Sequence, residues 1–187
     1  MKFRIHFRLL CSIAIIAVIG IVAAGTVHAS SWRYELPIER DGVMLMDDLI
    51  YRVRLDDDIT KAKRVNRFFN QILVSRETGH AVQSPEELVQ AGRGSQLDIA
   101  VAKLFALEAA GIPAHRMSVT RVRHHDLDGM HVLLLVYPGS SSEPIVLDTL
   151  TREIQWLSDR PGLFVVDMMS HQDVSSILNQ SRQRLAW

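Results

Sequence analysis

The chain has 187 residues, and its 21 Lys and Arg side chains equal its 21 Asp and Glu side chains in number. The first 29 residues contain Lys2, Arg4 and Arg8 but no acidic residue, which leaves 18 basic against 21 acidic side chains beyond them. This slightly negative balance gives no reason to expect nucleic acid binding. The sole cysteine is Cys11, so residues 30–187 contain no thiol for a disulfide, a thiolate metal site or a nucleophile.

The N-terminal segment has the pattern of a secretory signal. An uncharged run from Leu9 to Gly25 follows the basic start, and Val27-His28-Ala29 supplies the small residues of a cleavage site. We expect residues 1–29 to be a signal peptide and residues 30–187 to be one domain. The alternative is an uncleaved membrane anchor, since the run is a little short of the ~20 residues that span a bilayer. Either interpretation predicts export of the domain, with this segment as its sole link to the membrane.

Three helices are predicted after a polar lead-in from Trp32 to Asp58. Apolar residues recur at helical spacing between Ile59 and Val74. The segment Ser84-Pro85-Glu86-Glu87 predicts the start of a second helix through an N-cap and a capping box, and Gly92 predicts its end. A third helix is expected from about Ser95 to Ala110, and it is apolar nearly all round, which indicates burial.

The hydrophobic period changes to two in the second half of the chain, where five strands are predicted. They are Met117–Arg123, His131–Tyr137, Pro144–Asp148, Glu153–Leu157 and Leu163–Met168. Helices followed by antiparallel strands predict an α+β domain in which N-terminal helices pack on an antiparallel sheet. The residues after Ser170 predict a helical or frayed end.

The order of three of these elements is that of a cysteine hydrolase triad. A helix N-terminus lowers the pKa of a thiol through its dipole and free N–H groups. A strand histidine then takes the proton, and a carboxylate orients that histidine. His131 and Asp148 lie on neighbouring predicted strands and suit the last two roles, but the helix N-terminus has Gln96 and no cysteine.

Several segments together resemble the bacterial transglutaminase-like cysteine proteinases of the LapG type, which release adhesins from the cell surface by periplasmic cleavage. The family's nucleophile motif Gly-Asp-Cys-Glu-Asp-Tyr-Ala-x-Ala-Lys has its counterpart in the segment Gly94–Lys103. The other matched segments are Val65–Asn70, Ala110–Pro113, His131–Pro138 and Pro144–Leu150. The resemblance covers roughly Val65 to Met168 and implies a papain/transglutaminase-like fold in the periplasm.

The departures from the family motif bear on catalysis. Gln96 stands at the position of the family's catalytic cysteine, and a carboxamide cannot be ionised into a nucleophile. The resemblance implies that His131 and Asp148 are the remaining base and its orienting acid. Without a nucleophile they form no covalent intermediate, so we expect no enzyme activity. His131 is then expected to be a packed strand residue or to be hydrogen-bonded to Asp148 or Gln96.

The family also resembles a calcium-binding group whose ligands are the acids that flank the cysteine. Here the corresponding residues are Ser95 and Leu97, which leaves Asp98 as the only carboxylate. Calcium takes six or more oxygen ligands, usually several of them carboxylates. We therefore expect no calcium site and no other cofactor, and we expect Asp98 to stabilise the positive end of its helix.

A second group of potential metal ligands lies between the first two strands of the predicted sheet. It consists of His124, His125, Asp126 and Asp128. Zinc accepts such ligands, but sequence neighbours point apart on a strand or lie together in a hairpin loop. We therefore interpret this segment as a polar loop that Asp128-Gly129 closes.

The function expected from the resemblance is that of a periplasmic pseudo-proteinase with a regulatory role. It would bind the periplasmic domain of an inner-membrane cyclic-di-GMP receptor, diguanylate cyclase or phosphodiesterase, and so affect biofilm formation and adhesion. One alternative is an active periplasmic peptidase that uses an unusual nucleophile or a metal. Ser95 fits this poorly, because adjacent helical side chains diverge by about 100°. Another alternative is a protein that binds an adhesin segment without cleaving it.

Overall fold

Five helices and two sheets form the part of the chain that the computed structural model describes, residues 41–75, 81–125 and 129–185. All of these residues belong to the unit Arg33–Trp187. The expected signal or anchor, residues 1–29, lies outside the described residues. None of the helices within the described ranges is long and apolar enough to cross a bilayer.

The three predicted helices are present with changed ends. The helices are α1 (Asp41–Val53), α2 (Asp58–Phe69), α3 (Pro85–Ala91), α4 (Gln96–Ala109) and α5 (His171–Leu185). The capping box at Ser84 and the left-handed Gly92 that follows α3 are confirmed. The predicted helix from Ile59 to Val74 is five residues too long, because backbone turns follow Phe69 and residues 73–74 join a strand.

Helix α1 was not expected, because the sequence predicts only a polar lead-in there. Its buried side chains are few, chiefly Met46 and Val53, while Met44 and Tyr51 are exposed. Its inward side chains nevertheless recur at helical spacing, since Leu49 and Ile50 pack against the core between Met46 and Val53. The helix contacts α2 and α3, so this stripe was present in the sequence and was overlooked among the polar residues of the lead-in.

The predicted five-stranded antiparallel sheet is confirmed, with strand order β6-β5-β4-β3-β7. Its strands are β3 (Met117–His124), β4 (Met130–Val136), β5 (Ile145–Leu147), β6 (Gln155–Trp156) and β7 (Leu163–Met169). A separate parallel pair, β1 (Leu73–Val74) with β2 (Arg93–Gly94), was not predicted. Two-residue strands are too short to show a period of two.

Helix α4 lies against the sheet at the centre of the domain and is buried on nearly all sides. The main core contains its side chains together with those of β3, β4 and β5 that face it, such as Val119, Leu134 and Leu147. A smaller cluster, which we call the second cluster, lies on the other face of the sheet. It consists of Val122, Leu133, Leu135, Val146 and Leu163, with Leu157 packed against it. The architecture is the expected α+β class, with helices on one face of the sheet.

Candidate functional site

The candidate site begins at the N-terminus of α4, which Ser95 caps. The Ser95 hydroxyl accepts a hydrogen bond from Asp98 N at 3.1 Å, and Asp98 Oδ2 accepts one from Ser95 N at 2.7 Å. This reciprocal capping box satisfies two backbone donors that a helix start leaves open. Gly94 precedes it, where an added Cβ would lie 2.3 Å from Leu88 Cδ1. The sequence therefore starts α4 at Gln96 and places that side chain at the positive end of the helix.

The Gln96 side chain is attached to the sheet. Its Oε1 accepts a hydrogen bond from Val132 N of β4 at 3.0 Å. Successive residues of a strand direct their backbone N–H and C=O groups alternately towards the two neighbouring strands. The N–H of Val132 is therefore directed to the same side as those of Leu134 and Val136, away from β3. On that side β5 pairs with β4 only from Leu134 to Val136. The Gln96 amide oxygen therefore accepts from a backbone N–H of β4 that lies just beyond the end of β5 and has no strand partner on that side among the described residues.

His131 is the residue of β4 next to this contact. Only 3% of it is exposed, and its Nε2 has no hydrogen-bond partner among the residues that the structure describes. Burial lowers the pKa of His131 below its usual 6.5, the negative charge of Asp148 opposes this, and the positive charge of Arg160 adds to it. The expected packing of His131 is present, while its Nε2 contacts neither Gln96 nor Asp148 through a hydrogen bond.

Asp148 directly follows β5 and its side chain is fully buried. Its Oδ1 accepts hydrogen bonds from Leu150 N at 3.0 Å and Thr151 N at 2.9 Å, so it stabilises the turn after the strand. Its Oδ2 lies 2.9 Å from Arg160 Nη1 in an ion pair that lacks the alignment of a hydrogen bond. Asp148 is thus near His131, as its effect on the histidine pKa requires, but is bound to other groups.

A buried lysine lies behind this turn. Lys103 of α4 is 1% exposed, and its Nζ donates to Asn66 Oδ1 at 2.8 Å, Asn70 Oδ1 at 2.7 Å and Asp148 O at 3.0 Å. Burial lowers the pKa of Lys103 to about 7, and the negative charge of Asp148 partly opposes this. Three acceptors match the three N–H donors of an ammonium group. This lysine therefore joins α4, α2 and the turn after β5.

The two asparagines complete the network through their amide donors. Asn66 Nδ2 donates to Arg152 O at 3.2 Å and to Thr151 O at 3.4 Å, and Asn70 Nδ2 donates to Thr151 O at 2.7 Å and Asp148 O at 2.9 Å. No role was predicted from the sequence for either asparagine, for Lys103 or for Arg160. The available signals were two asparagines four apart, one within α2 and one directly after it, and a lysine in the middle of a largely apolar helix.

The residues at the family's calcium positions do not fit a calcium ion. Asp98 is fully buried, its Oδ1 accepts from Gln83 N at 2.9 Å, and its Oδ2 accepts from the N–H and hydroxyl of Ser95. Leu97 packs its apolar side chain against the core. A single carboxylate that already accepts three hydrogen bonds, beside an apolar side chain, cannot supply the oxygen ligands that calcium takes.

The second group of potential ligands is described only in part. His124 ends β3, and its ring stacks on that of His125 with centroids 5.0 Å apart, so the two side chains lie together and do not point apart. Asp126 and Asp128 lie outside the described residues. Within the described ranges no group of three His, Cys, Asp or Glu side chains could hold a metal ion.

No model of a known protein family and no curated protein matches the sequence. Among solved structures, Legionella pneumophila LapG matches with a TM-score of 0.69 and 26% identity over 78% of this chain and 88% of that chain. The calcium-bound form of Legionella pneumophila LapG matches with 30% identity and a TM-score of 0.66, over 73% of this chain and 78% of the other. The chain belongs to the LapG family of transglutaminase-like cysteine proteinases.

An EGTA-treated form of Legionella pneumophila LapG also matches, with 26% identity and a TM-score of 0.66 over 76% of this chain and 89% of that chain. The family fold expected from the matched segments is therefore confirmed. In this LapG-family chain, the segments Val65–Asn70 and Gly94–Lys103 contribute the buried network of Asn66, Asn70 and Lys103. Three residues of the matched segments thus join α2 to α4.

Proposed function

We propose that this LapG-family chain is a pseudo-proteinase that binds a protein partner without cleaving it. The observation that carries the proposal is Gln96 at the first position of α4, with its Oε1 hydrogen-bonded to Val132 N. Covalent catalysis at this position needs a group that can be activated as a nucleophile, and an amide is not one. The side chain also joins α4 to β4 through this bond.

The residues nearest Gln96 support the same proposal. Ser95, the alternative nucleophile, uses its hydroxyl as the N-cap, where it accepts from Asp98 N and donates to Asp98 Oδ2. His131 has no hydrogen bond to any hydroxyl through Nε2 in the described part of the chain. A serine that is activated as a nucleophile needs a base within hydrogen-bond reach. Ser95 is therefore better suited to start a helix than to attack a substrate.

We further propose that the domain is exported to the periplasm, where its partner is the periplasmic domain of an inner-membrane cyclic-di-GMP receptor, diguanylate cyclase or phosphodiesterase. The support for export is the signal-like pattern of residues 1–29, and the support for the partner is the retention of the LapG fold around an altered nucleophile position. A chain that keeps the surface of the fold can compete for the same partner as an active relative. Its effect would be on biofilm formation and adhesion.

Catalysis is tested with purified protein and an adhesin-derived peptide. We expect no cleavage by the wild type and no change in Ser95→Ala or His131→Ala. Cleavage by the wild type that either substitution abolishes would contradict the pseudo-proteinase and support an active hydrolase. A covalent acyl adduct on the wild-type chain, detected by mass spectrometry, would also contradict it.

Partner binding is tested by capturing proteins from solubilised membranes with the folded chain, and the same chain unfolded in urea serves as the control. We expect an inner-membrane cyclic-di-GMP signalling protein to bind only the folded chain. Capture of an adhesin in its place would favour the alternative function, in which the chain binds an adhesin segment without cleaving it. Recovery of neither class would contradict the proposed regulatory role.

A further inference from the structure

The large sheet has an edge strand with an exposed apolar surface. Strand β7 is the last strand beyond β3, and no strand among the described residues pairs with its outer side. Four of its side chains are large, apolar and exposed, and Phe164 has the largest exposed fraction of them, 59%. The four are Phe164, Val165, Val166 and Met168. Edge strands of native sheets commonly contain lysine or proline, which prevents pairing with a strand of another chain.

Strand β7 has neither of these protective residues. The segment Leu163–Met169 contains no lysine and no proline, and its one charged residue, Asp167, forms an ion pair with Arg121 of the neighbouring β3. Its outer side therefore presents backbone N–H and C=O groups between apolar side chains. Such an edge favours the addition of a further strand, because backbone hydrogen bonds form and the exposed apolar side chains are buried.

A β-bulge at Val166 determines which side chains of β7 share a face of the sheet. Arg121 lies opposite Asp167 and Arg123 lies opposite Phe164, while Val166 is the extra residue between these pairs. Alternate residues of β3 point to one face, and residues directly opposite one another share a face. Phe164 and Asp167 therefore lie on the same face as the two arginines, although they are three residues apart.

We propose that β7 pairs with β7 of a second copy of this chain, in an antiparallel arrangement whose two-fold axis passes between Val165 and Val166. In this register Val165 of one copy lies opposite Val166 of the other, and Phe164 lies opposite Asp167. An axis perpendicular to the sheet keeps the helix-covered faces of both copies on the same side, and the interface is the same patch on each copy. The two sheets then form one continuous sheet, and the edge at β7 is no longer exposed.

Charge complementarity supports a second copy as the occupant of this edge. In the proposed register, Asp167 of each copy lies between Arg121 of its own β3 and Phe164 of the other copy. Arg123 lies on the far side of that phenylalanine, and both Arg123 and Asp167 are exposed. Two strand spacings, about 10 Å, then separate Arg123 from Asp167 of the second copy. An arginine side chain extended over the Phe164 ring gains a cation–π contact and the attraction of this carboxylate, and the symmetry forms both contacts twice.

The pairing is tested by sedimentation velocity of the purified full chain over a range of concentrations. We expect a reversible equilibrium between one copy and two. Val165→Lys places like charges on both sides of the two-fold axis and should weaken the dimer about tenfold. Val74→Lys is the matched control and should leave the dimer unchanged, since Val74 also lies on a strand and has the same exposed fraction, 45%. A monomeric wild type, or equal weakening by the two substitutions, would overturn the proposal.

Arg123→Glu tests the register and leaves β7 itself unchanged, so it also serves if Val165→Lys does not fold. It places a carboxylate near Asp167 of the second copy and should weaken the dimer about fivefold, with a smaller effect at high salt. The control Arg93→Glu, at an exposed position of β2, should have no effect. An Arg123→Glu dimer as strong as that of the wild type would overturn the antiparallel arrangement. Neither measurement involves a substrate or another protein, so its failure leaves the proposed pseudo-proteinase function unaffected.

Discussion

Two positions of α4, two helical turns apart, differ sharply in how the surrounding structure uses them. Gln96, at the start of the helix, makes one neutral hydrogen bond to the backbone of β4. Lys103, seven residues further on the same face, makes three buried hydrogen bonds that join α2 and the turn of Asp148. The position that the resemblance aligns with the family's nucleophile makes a single side-chain hydrogen bond, while Lys103 makes three.

This difference shows that the scaffold and the chemistry of such a site can be separated. Burying an ammonium group has a large desolvation cost, which only complete hydrogen bonding offsets. Lys103 and its two asparagine partners meet that condition. The turn that follows β5 therefore keeps its position whatever residue stands at position 96. The comparison predicts large effects on stability at Lys103 and small effects at Gln96.

The largest effect is expected for Lys103→Met. Methionine fills a similar volume but leaves Asn66 Oδ1 and Asn70 Oδ1 without the lysine donor, and it removes one of the two hydrogen bonds that Asp148 O accepts. We expect a loss of about 3 kcal/mol in the free energy of unfolding, measured by urea denaturation at pH 7. The matched control is Lys63→Met, on the exposed side of α2, which should change stability by less than about 0.5 kcal/mol. Equal losses of stability in Lys103→Met and Lys63→Met would show that the buried hydrogen bonds of Lys103 do not stabilise the fold.

The capping carboxylate of α4 should rank second. Asp98→Ala removes the carboxylate that accepts hydrogen bonds from Gln83 N, Ser95 N and Ser95 Oγ. These three donors then lie partly buried without that acceptor. We expect a loss of about 2 kcal/mol in the free energy of unfolding. Asp47→Ala, at an exposed position of α1, serves as the control and should be nearly neutral. A neutral result for Asp98→Ala would mean that its role is not structural.

The pH dependence of stability tests the environment of Lys103 directly. Its pKa in the folded chain is about 7, below the usual 10.5, so the unfolded chain binds more protons between these values. The stability of the wild type relative to Lys103→Met should therefore rise with pH above 7, by about 1 to 2 kcal/mol up to pH 9, and should stay constant below pH 7. Thermal unfolding of both proteins across this range measures it. A difference that falls with pH would contradict the lowered pKa.

The smallest effect is expected for Gln96→Ala, which leaves Val132 N without its acceptor. We expect a loss of about 1 kcal/mol in the free energy of unfolding, while Gln96→Glu should retain most of the stability because a carboxylate also accepts. Gln96→Cys restores the family's nucleophile residue, yet we expect little cleavage of an adhesin-derived peptide, because Ser95 and Leu97 still replace the flanking acids. Substantial cleavage by Gln96→Cys would show that the site needs only its thiol.

The sequence predicted the elements whose patterns are local. The capping box at Ser84, the apolar helix that became α4 and the five strands from Met117 onward each have a signature within a few residues. The parallel pair β1–β2 has no such signature and was not predicted. Helix α1 was also not predicted, although Met46, Leu49, Ile50 and Val53 recur at helical spacing. The end of α2 at Phe69 was also missed, because the next residues turn to pair with β2, a contact twenty residues away.

At the candidate site, too, the residues could be predicted from the sequence but their contacts could not. Gln96, His131 and Asp148 were identified from their order and from the family motif, and the structure joins Gln96 to the backbone N–H of Val132, the residue after His131. The bonding of Asp148 to Arg160 and to its own turn was not predicted, because a residue type and a strand position do not reveal which cation lies nearest. His131 was expected to be packed or hydrogen-bonded to Asp148 or Gln96, and the structure shows it packed, with no hydrogen-bond partner for Nε2 among the described residues.

By itself the sequence determined the helix and strand pattern, the α+β class and the residue at the nucleophile position, because side-chain chemistry and hydrophobic period are local properties of a chain. The tertiary structure alone decided which buried donors and acceptors form hydrogen bonds with one another. Lys103, Asn66, Asn70 and the turn of Asp148 are separated by up to 82 residues, from Asn66 to Asp148. Only close packing of α2, α4 and β5 brings them within hydrogen-bond distance, where desolvation makes each unpaired group costly.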